Sequence, residues 1–158
     1  MKIVLKHSLT HLLGYWQDTP PPKTIPKDLI AAVQTAGTYT FYKKVESKPT
    51  CLYSILVFKG PKDYMVLLLH DHYPVVARVE APSQRIQENL AKKIFFQYLD
   101  VPAEVTAVLE EAYQVLPQAY LEGAITPDIL TEFDKKTLKI INHFQPEKIG
   151  DMIFNYWD

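Results

Sequence analysis

Cysteine, glycine and long apolar runs are scarce in this sequence, and each scarcity excludes a class of protein. The 158-residue chain has one cysteine, Cys51, so it forms no internal disulfide, and small secreted domains usually need several. No apolar run approaches the roughly 20 residues that cross a bilayer. Lys6 and His7 interrupt the apolar stretch Ile3–Leu5, which is unlike a signal peptide. We therefore expect a soluble, cytoplasmic protein without a membrane partner.

The motifs of common enzymes are also missing. None of the five glycines belongs to a dinucleotide-binding or phosphate-binding loop, and the GxSxG, HExxH and CxxC patterns do not occur. This favours a protein without a cofactor and without enzymatic activity. The formal net charge of −1 argues against nucleic acid as the main partner, because its backbone usually meets a clustered basic face.

The pattern of the remaining residues predicts one α+β domain over 1–158. Residues 2–37 read as a strand and two short helices joined by a proline-rich connector, 38–81 as a β meander and 82–158 as a helical block. We expect a four- to five-stranded, mainly antiparallel sheet that is packed by the C-terminal helices.

The N-terminal part divides at its prolines. A strand is predicted at Lys2–Lys6, and Ser8 is expected to cap a helix that runs to Gln17. Pro20–Pro22 predicts a stiff, extended connector, with a docking site for a polyproline-binding partner as the alternative. Pro26 suits the first turn of a second helix, which should end near Ala36.

Alternating and continuous apolar segments predict the strands. Tyr39, Phe41 and Val45 are expected on one side of the first strand of the meander. Later strands are nearly continuous in apolar residues, which indicates that both faces of the sheet are covered. We expect the helical block on one face and, on the other, the helix around Leu29–Val33 or a second subunit. The predicted strands are Thr38–Glu46, Leu52–Phe58, Tyr64–His70 and Pro74–Glu80.

After Ala81 the apolar period changes to that of a helix. One helix is predicted from Pro82 to Tyr98, and it should pair with a second one from Pro102 to Leu116. Three further helical elements are expected at Pro117–Gly123, from a Thr126 cap to Phe144, and from Pro146 onward.

The cluster His70-Asp71-His72 is the main candidate for chemistry. Imidazole and carboxylate are both ligands of zinc, so His70 and His72 with Asp71 are candidate metal ligands or catalytic residues of a metal-assisted hydrolase. A third ligand would have to come from elsewhere, and the available side chains are His7, His11, Asp63 and His143. The alternative is a solvated turn.

Two other candidates have simpler interpretations. Cys51 opens an apolar strand, which favours a buried thiol over a nucleophile. His7 and His11 lie four residues apart on one helical face, but no glutamate between them completes a zinc-protease motif.

Aromatic residues suggest two kinds of binding surface. Tyrosines lie among lysines in the β region, a combination that can bind single-stranded nucleic acid, although strand packing alone also explains the tyrosines. At the C-terminus, Phe154, Tyr156 and Trp157 are either buried against the domain or form a protein interface. The tyrosines and lysines are Tyr39, Tyr42, Tyr53, Tyr64, Lys43, Lys44, Lys48, Lys59 and Lys62.

These observations rank three functions. A non-enzymatic interaction protein comes first, with a protein partner or a second copy in a homodimer, because residues able to carry catalysis are few. The metal-assisted hydrolase at His70, Asp71 and His72 is the alternative, and single-stranded nucleic-acid binding is third.

Overall fold

A computed structural model describes residues 3–14, 19–46, 51–82, 89–90 and 96–155. The meander follows the predicted order, whereas the N-terminal segment and the helical block differ from the prediction. The helices are α1 (Leu9–Leu12), α2 (Pro26–Thr35), α3 (Ala103–Leu109), α4 (Gln118–Leu121), α5 (Pro127–Leu130), α6 (Lys135–Phe144) and α7 (Ile149–Ile153). The strands are β1 (Thr40–Val45), β2 (Tyr53–Lys59), β3 (Tyr64–His70), β4 (Val75–Val79), β5 (Tyr98–Leu99) and β6 (Gln114–Val115).

The strands form one mostly antiparallel sheet, and the predicted α+β class is confirmed. Strands β1 to β5 are neighbours in sequence order, and β6 adds to β4 in parallel. Lys59 pairs with Tyr64, so four residues join β2 to β3. The hydrogen bond from the Gly60 N–H to the Asp63 carbonyl (2.8 Å) closes this connection. Adjacent apolar strands with short connections therefore give the meander that their spacing predicts.

Both faces of the sheet are covered, as the continuous apolar strands predict. On one face, Leu56, Phe58 and Leu67 pack with Leu29 of α2 and Val105 of α3. On the other face, the core combines α1 with α4, α6 and α7, through Leu12, Leu121, Ile141 and Met152. Each fully buried apolar side chain contributes about 1.5–3 kcal/mol, so the two cores together hold the layers in place.

Strand β1 corrects one prediction. The register shifts between Phe41 and Lys43, which marks a β-bulge in the pairing with β2. The extra residue reverses the alternation, so Tyr39 and Phe41 pack on one face while Val45 packs on the other. Strict alternation had placed all three on one side.

The N-terminal prediction holds in part. Residues 3–7 form no strand. Their backbone is bound instead by the side-chain amide of Gln114: Oε1 accepts from the Lys6 N–H (3.0 Å) and Nε2 donates to the Val4 carbonyl (2.9 Å). Helix α1 begins after the Ser8 cap as predicted. The helix ends at Leu12, with Leu13 as its C-cap and Gly14 next at φ +100°, so the prediction that it runs to Gln17 is wrong.

Helix α2 and its C-terminal cap match the pattern closely. The helix starts at Pro26 and its C-cap is Ala36, and Gly37 follows with φ +83°. A positive φ is readily adopted by glycine, which explains this residue at the helix end.

The helical block differs more. Tyr98 belongs to strand β5 rather than to a helix, and most of the helix predicted before it lies outside the described residues. Helix α3 ends at Leu109, because the chain then turns to pair β6 with β4 instead of continuing to Leu116. The helix predicted from Thr126 to Phe144 is two helices, since the Asp134 side chain accepts from the Thr137 N–H (2.8 Å) and caps α6.

None of the described helices is both long enough and apolar enough to span a membrane.

Candidate functional site

The turn after β3 holds the predicted histidine cluster, and it is a structural junction. His70 is the last residue of β3 and its side chain is fully buried, where it pairs across the sheet with Tyr53. The main chain then turns over Asp71 and His72 to Tyr73. The cluster is therefore not a solvated turn at His70.

Both ring nitrogens of His70 are used inside the protein. Nε2 lies 2.7 Å from the Leu12 carbonyl, which can only accept, so Nε2 carries the proton. Nδ1 accepts from the His72 backbone N–H at 3.1 Å. The imidazole is thereby fixed as the neutral Nε2–H tautomer, and burial lowers its pKa to about 4. With both nitrogens engaged in this way, His70 presents no lone pair to a metal.

His72 and Asp71 hold the proline-rich connector. Nδ1 of His72 donates to the Pro21 carbonyl (2.7 Å). Thr24 donates its hydroxyl to the His70 carbonyl and its N–H to the Asp71 carbonyl, each at 2.6 Å. The Asp71 side chain lies near the Ser54 hydroxyl, and burial raises its pKa. The extended connector predicted at Pro20–Pro22 is consequently tied to the sheet at three points.

The predicted third ligands do not complete a metal centre. His7 and His11 lie against the Tyr73 ring, at centroid distances of 4.6 and 6.4 Å. Asp63 is paired with Arg78 (3.2 Å) at the far end of β3, and His143 is exposed on α6. Across the described ranges, no three histidine, cysteine or acidic side chains are grouped as metal ligands would be.

The single cysteine and the C-terminal aromatics are also placed. Cys51 is buried, as its apolar surroundings predict. Phe154 is 1% exposed and packs near Tyr53, Tyr98 and His70, so burial is the alternative that holds for this interface candidate. Tyr156 and Trp157 lie outside the described residues, and their role in an interface remains a prediction.

Only part of the tyrosine and lysine pattern converges. Tyr39 and Tyr53 are buried in the two cores. Tyr42 is 56% exposed, and its ring lies 5.5 Å from that of Tyr64, which pairs with Lys59 across the β2–β3 hairpin. These three residues make a small basic and aromatic patch at the open end of the sheet.

The structure contains a buried carboxylate, Asp151, that sequence reasoning did not identify as a candidate. Asp151 of α7 is 3% exposed, and its Oδ1 accepts from the Tyr98 hydroxyl (3.4 Å). Its Oδ2 has no hydrogen-bond partner within the described part of the chain. Burial raises the pKa of Asp151 to about 6, although Lys148 opposes this effect. Lys148 itself is bonded to Glu122 (2.8 Å) and to the Phe96 carbonyl (3.1 Å).

One concave surface among the described residues is a groove that sequence reasoning did not find. It has a volume of about 1120 Å³ and lies between the N-terminal segment Ile3–Leu9 and the region of α4 and α5. Its lining is mostly apolar, with Tyr120, Ile129 and Ile149 opposite the N-terminal segment. We call it the N-terminal groove.

Residues 3–5 form one wall of this groove. Ile3 and Leu5 pack against the core, whereas the Val4 side chain between them is 78% exposed. Because Gln114 binds the Val4 carbonyl and the Lys6 N–H, the backbone that carries this side chain is held in place. An exposed apolar side chain at the wall of an apolar groove is typical of a binding surface.

Two of the polar side chains that line the N-terminal groove are acidic. Asp128 and Glu132 line it opposite His7. The pKa of the half-buried Tyr120 is raised by burial and by Glu132. The pKa of His7 is lowered by burial, by His11 and by Lys6, so His7 is neutral near pH 7. The groove therefore combines apolar contact with negative charge.

Two signals in the sequence point toward this groove, although neither locates it. Between Lys93 and Lys135 the chain carries eight acidic residues and no lysine or arginine. The segment Ile3–Leu5 is apolar but too short to be a core strand. The groove joins segments more than 100 residues apart, and that proximity comes from the fold alone.

Comparison of the chain with protein-family models, curated proteins and solved structures found no match.

Proposed function

We propose that the protein is a non-enzymatic interaction protein that binds a segment of a protein partner in the N-terminal groove. The observation that carries the proposal is the exposed Val4 side chain on the wall of a mostly apolar groove of about 1120 Å³. A volume of this size is ample for several side chains of a bound segment. The interior use of both His70 nitrogens weighs against the metal-assisted hydrolase.

The groove is suited to binding rather than to bond breaking. The titratable residues of its lining are His7, Tyr120, Asp128 and Glu132. Within the described residues, no serine or cysteine of the groove is hydrogen-bonded to a histidine side chain, as a catalytic nucleophile would be. Cytoplasmic location and a homodimer remain predictions that accompany this proposal. Measurement of the native mass at several protein concentrations tests whether the chain forms a homodimer.

The proposal is tested with a phage-displayed library of random peptides of about 12 residues. We expect wild-type protein to enrich peptides with apolar residues, because burying Val4 gains about 25 cal/mol per Å² of apolar surface. Val4→Ser is then expected to lower the affinity for a selected peptide by about 5–10-fold, which corresponds to about 1–1.4 kcal/mol of binding free energy. Isothermal titration calorimetry measures this change in affinity.

Ile25→Ser is the matched control for this experiment. Ile25 is another exposed aliphatic side chain, at 57%, and it does not line the groove. This substitution should leave the affinity unchanged. Equal weakening by both variants, or a selection that enriches no peptide, would reject the groove as the binding surface.

A second candidate function, single-stranded nucleic-acid binding, is favoured by the rings of Tyr42 and Tyr64 beside Lys59. If bases stack on this patch, a labelled oligothymidylate should bind, and its affinity should fall as salt rises from about 50 to about 300 mM. Tyr42→Ala should then lower the affinity for the oligonucleotide about 10-fold, since one stacked base contributes about 1–3 kcal/mol. Fluorescence anisotropy titrations measure this change. Tyr113→Ala is the control, as Tyr113 packs near α3. Binding that salt does not affect would rule this function out.

A further inference from the structure

We propose that the segment bound in the N-terminal groove carries a lysine or arginine among its apolar residues, and that Asp128 and Glu132 select this cation. The inference rests on the proposed function and adds the chemistry of the partner. It commits to a basic and apolar peptide segment rather than to a second copy of this chain.

The acidic residues around the groove differ in whether they are already paired within the protein. Three of the acidic residues in the segment without lysine or arginine are already used in the structure. Glu122 is paired with Lys148, while the side chains of Asp100 and Asp134 accept from the backbone N–H groups of Gln118 and Thr137. These contacts hold α4, α6 and α7 in place, so the three acidic side chains that make them are not available for a ligand.

Asp128 and Glu132 differ from those residues. Both are exposed, both line the groove, and no ion pair involves either of them within the described part of the chain. Asp128 lies in α5 and Glu132 in the turn after it, and both contribute to the lining of the groove. The groove thus presents two carboxylates whose charge a partner can complement.

Tyr120 adds a second element for a cation. Its half-buried ring lies in the groove near Glu132, which contributes to its raised pKa. The face of a tyrosine ring attracts an ammonium or guanidinium group, and this attraction adds to that of a neighbouring carboxylate. A basic side chain can therefore lie over Tyr120 while its head group contacts an acidic residue.

The imidazole of His7, which lines the groove, does not oppose this arrangement. His7 has a lowered pKa because of burial and the nearby His11 and Lys6. At about pH 7.5 it is neutral, and a cationic ligand meets no repulsion from it. The apolar residues of the ligand then contact Val4 and Ile129, on opposite sides of the groove.

The experiment uses one apolar peptide in three synthetic forms that differ at a single central position: lysine, glutamine or glutamate. We expect the lysine form to bind about 5–10-fold more tightly than the glutamine form, and the glutamate form to bind least. Asp128→Asn and Glu132→Gln should each weaken the lysine form by about 2–5-fold, and the double variant by about 10-fold. None of these substitutions should affect the glutamine form.

Glu111→Gln is the control for charge, because Glu111 is exposed in the same acidic segment but does not line the groove. Raising salt from about 50 to about 300 mM should weaken the lysine form with wild-type protein and not with the double variant. Equal binding of all three peptides, with Val4→Ser still weakening each, would overturn the cation inference and leave the proposed function standing. Absence of any binding would overturn both, as would self-association that blocks the groove.

Discussion

Replacement of His70 by alanine is expected to lower the free energy of unfolding by about 3–5 kcal/mol near pH 7.5. The imidazole is fully buried, and its loss leaves the Leu12 carbonyl and the His72 N–H without their partner as well as an empty space below α1. Each buried polar group left unsatisfied costs about 1–3 kcal/mol. Urea denaturation followed by circular dichroism measures this change.

His70→Phe separates packing from hydrogen bonding. A phenyl ring restores most of the volume but neither hydrogen bond, so we expect a smaller loss of about 2–3 kcal/mol. His143→Ala is the control, because His143 is exposed on α6 and should change stability by less than about 0.5 kcal/mol. A loss at His70 no larger than that at His143 would show that the junction does not stabilise the fold.

The same substitution has a pH dependence with a definite sign. In the folded protein the His70 pKa is about 4, whereas the unfolded value is about 6.5. The unfolded state binds more protons between these values, so wild-type stability falls as pH drops from about 6.5 toward 4, by up to about 3 kcal/mol. The His70→Phe variant lacks this effect. The difference in free energy of unfolding between wild type and this variant should therefore shrink to near zero at about pH 4.5. A difference that stays constant with pH would contradict a buried, neutral imidazole.

The role of His70 shows where sequence reasoning ends. The sequence places His70 at the end of an apolar strand, and that position is confirmed. Its partners lie in α1 and in the following turn, and the contact with Leu12 spans 58 residues. Metal ligation and a structural junction require the same residue types, so only the long-range geometry distinguishes them.

The fold was predictable to the extent that it depends on local signals. Apolar strands with short connections specify the meander, and Pro26 with Gly37 marks both ends of α2. Predictions fail where a distant contact overrides the local pattern. Helix α3 stops at Leu109 because residues 114–115 pair with β4, and an amphipathic pattern gives no sign of that pairing.

The N-terminal groove illustrates the same limit for function. Its acidic side chains belong to a segment whose charge is visible in the sequence, but its other wall is formed by Ile3–Leu9. Gln114 fixes that wall through two hydrogen bonds, which span 108 and 110 residues. No local pattern marks a partly buried glutamine as the residue that fixes the wall of a groove.

Asp151→Asn is expected to stabilise the protein at about pH 7.5, in contrast to most substitutions of buried polar residues. The folded-state pKa of Asp151 is about 6, against an unfolded value near 3.8, because burial penalises its charge more than Lys148 compensates. The folded state therefore retains a proton between these values, and this carboxyl group costs stability as pH rises through about 6. The full shift corresponds to about 3 kcal/mol. Solvent screening around Lys148 and Glu122 reduces the expected gain to about 1–2 kcal/mol.

The gain should disappear at about pH 4, where the wild-type carboxyl group is protonated and resembles the amide in charge. The asparagine carbonyl can still accept from the Tyr98 hydroxyl, so that contact is preserved. Asp134→Asn is a contrasting control: Asp134 caps α6, its pKa is lowered by its hydrogen bonds to Thr137, and its substitution should not stabilise the protein. Because His70 and Asp151 change stability in opposite directions between about pH 4 and 6, the wild-type profile should be flatter than that of either His70→Phe or Asp151→Asn. A wild-type profile as steep as that of Asp151→Asn would show that the carboxylate is charged and paired in the fold, and would remove the reason for its stabilising substitution.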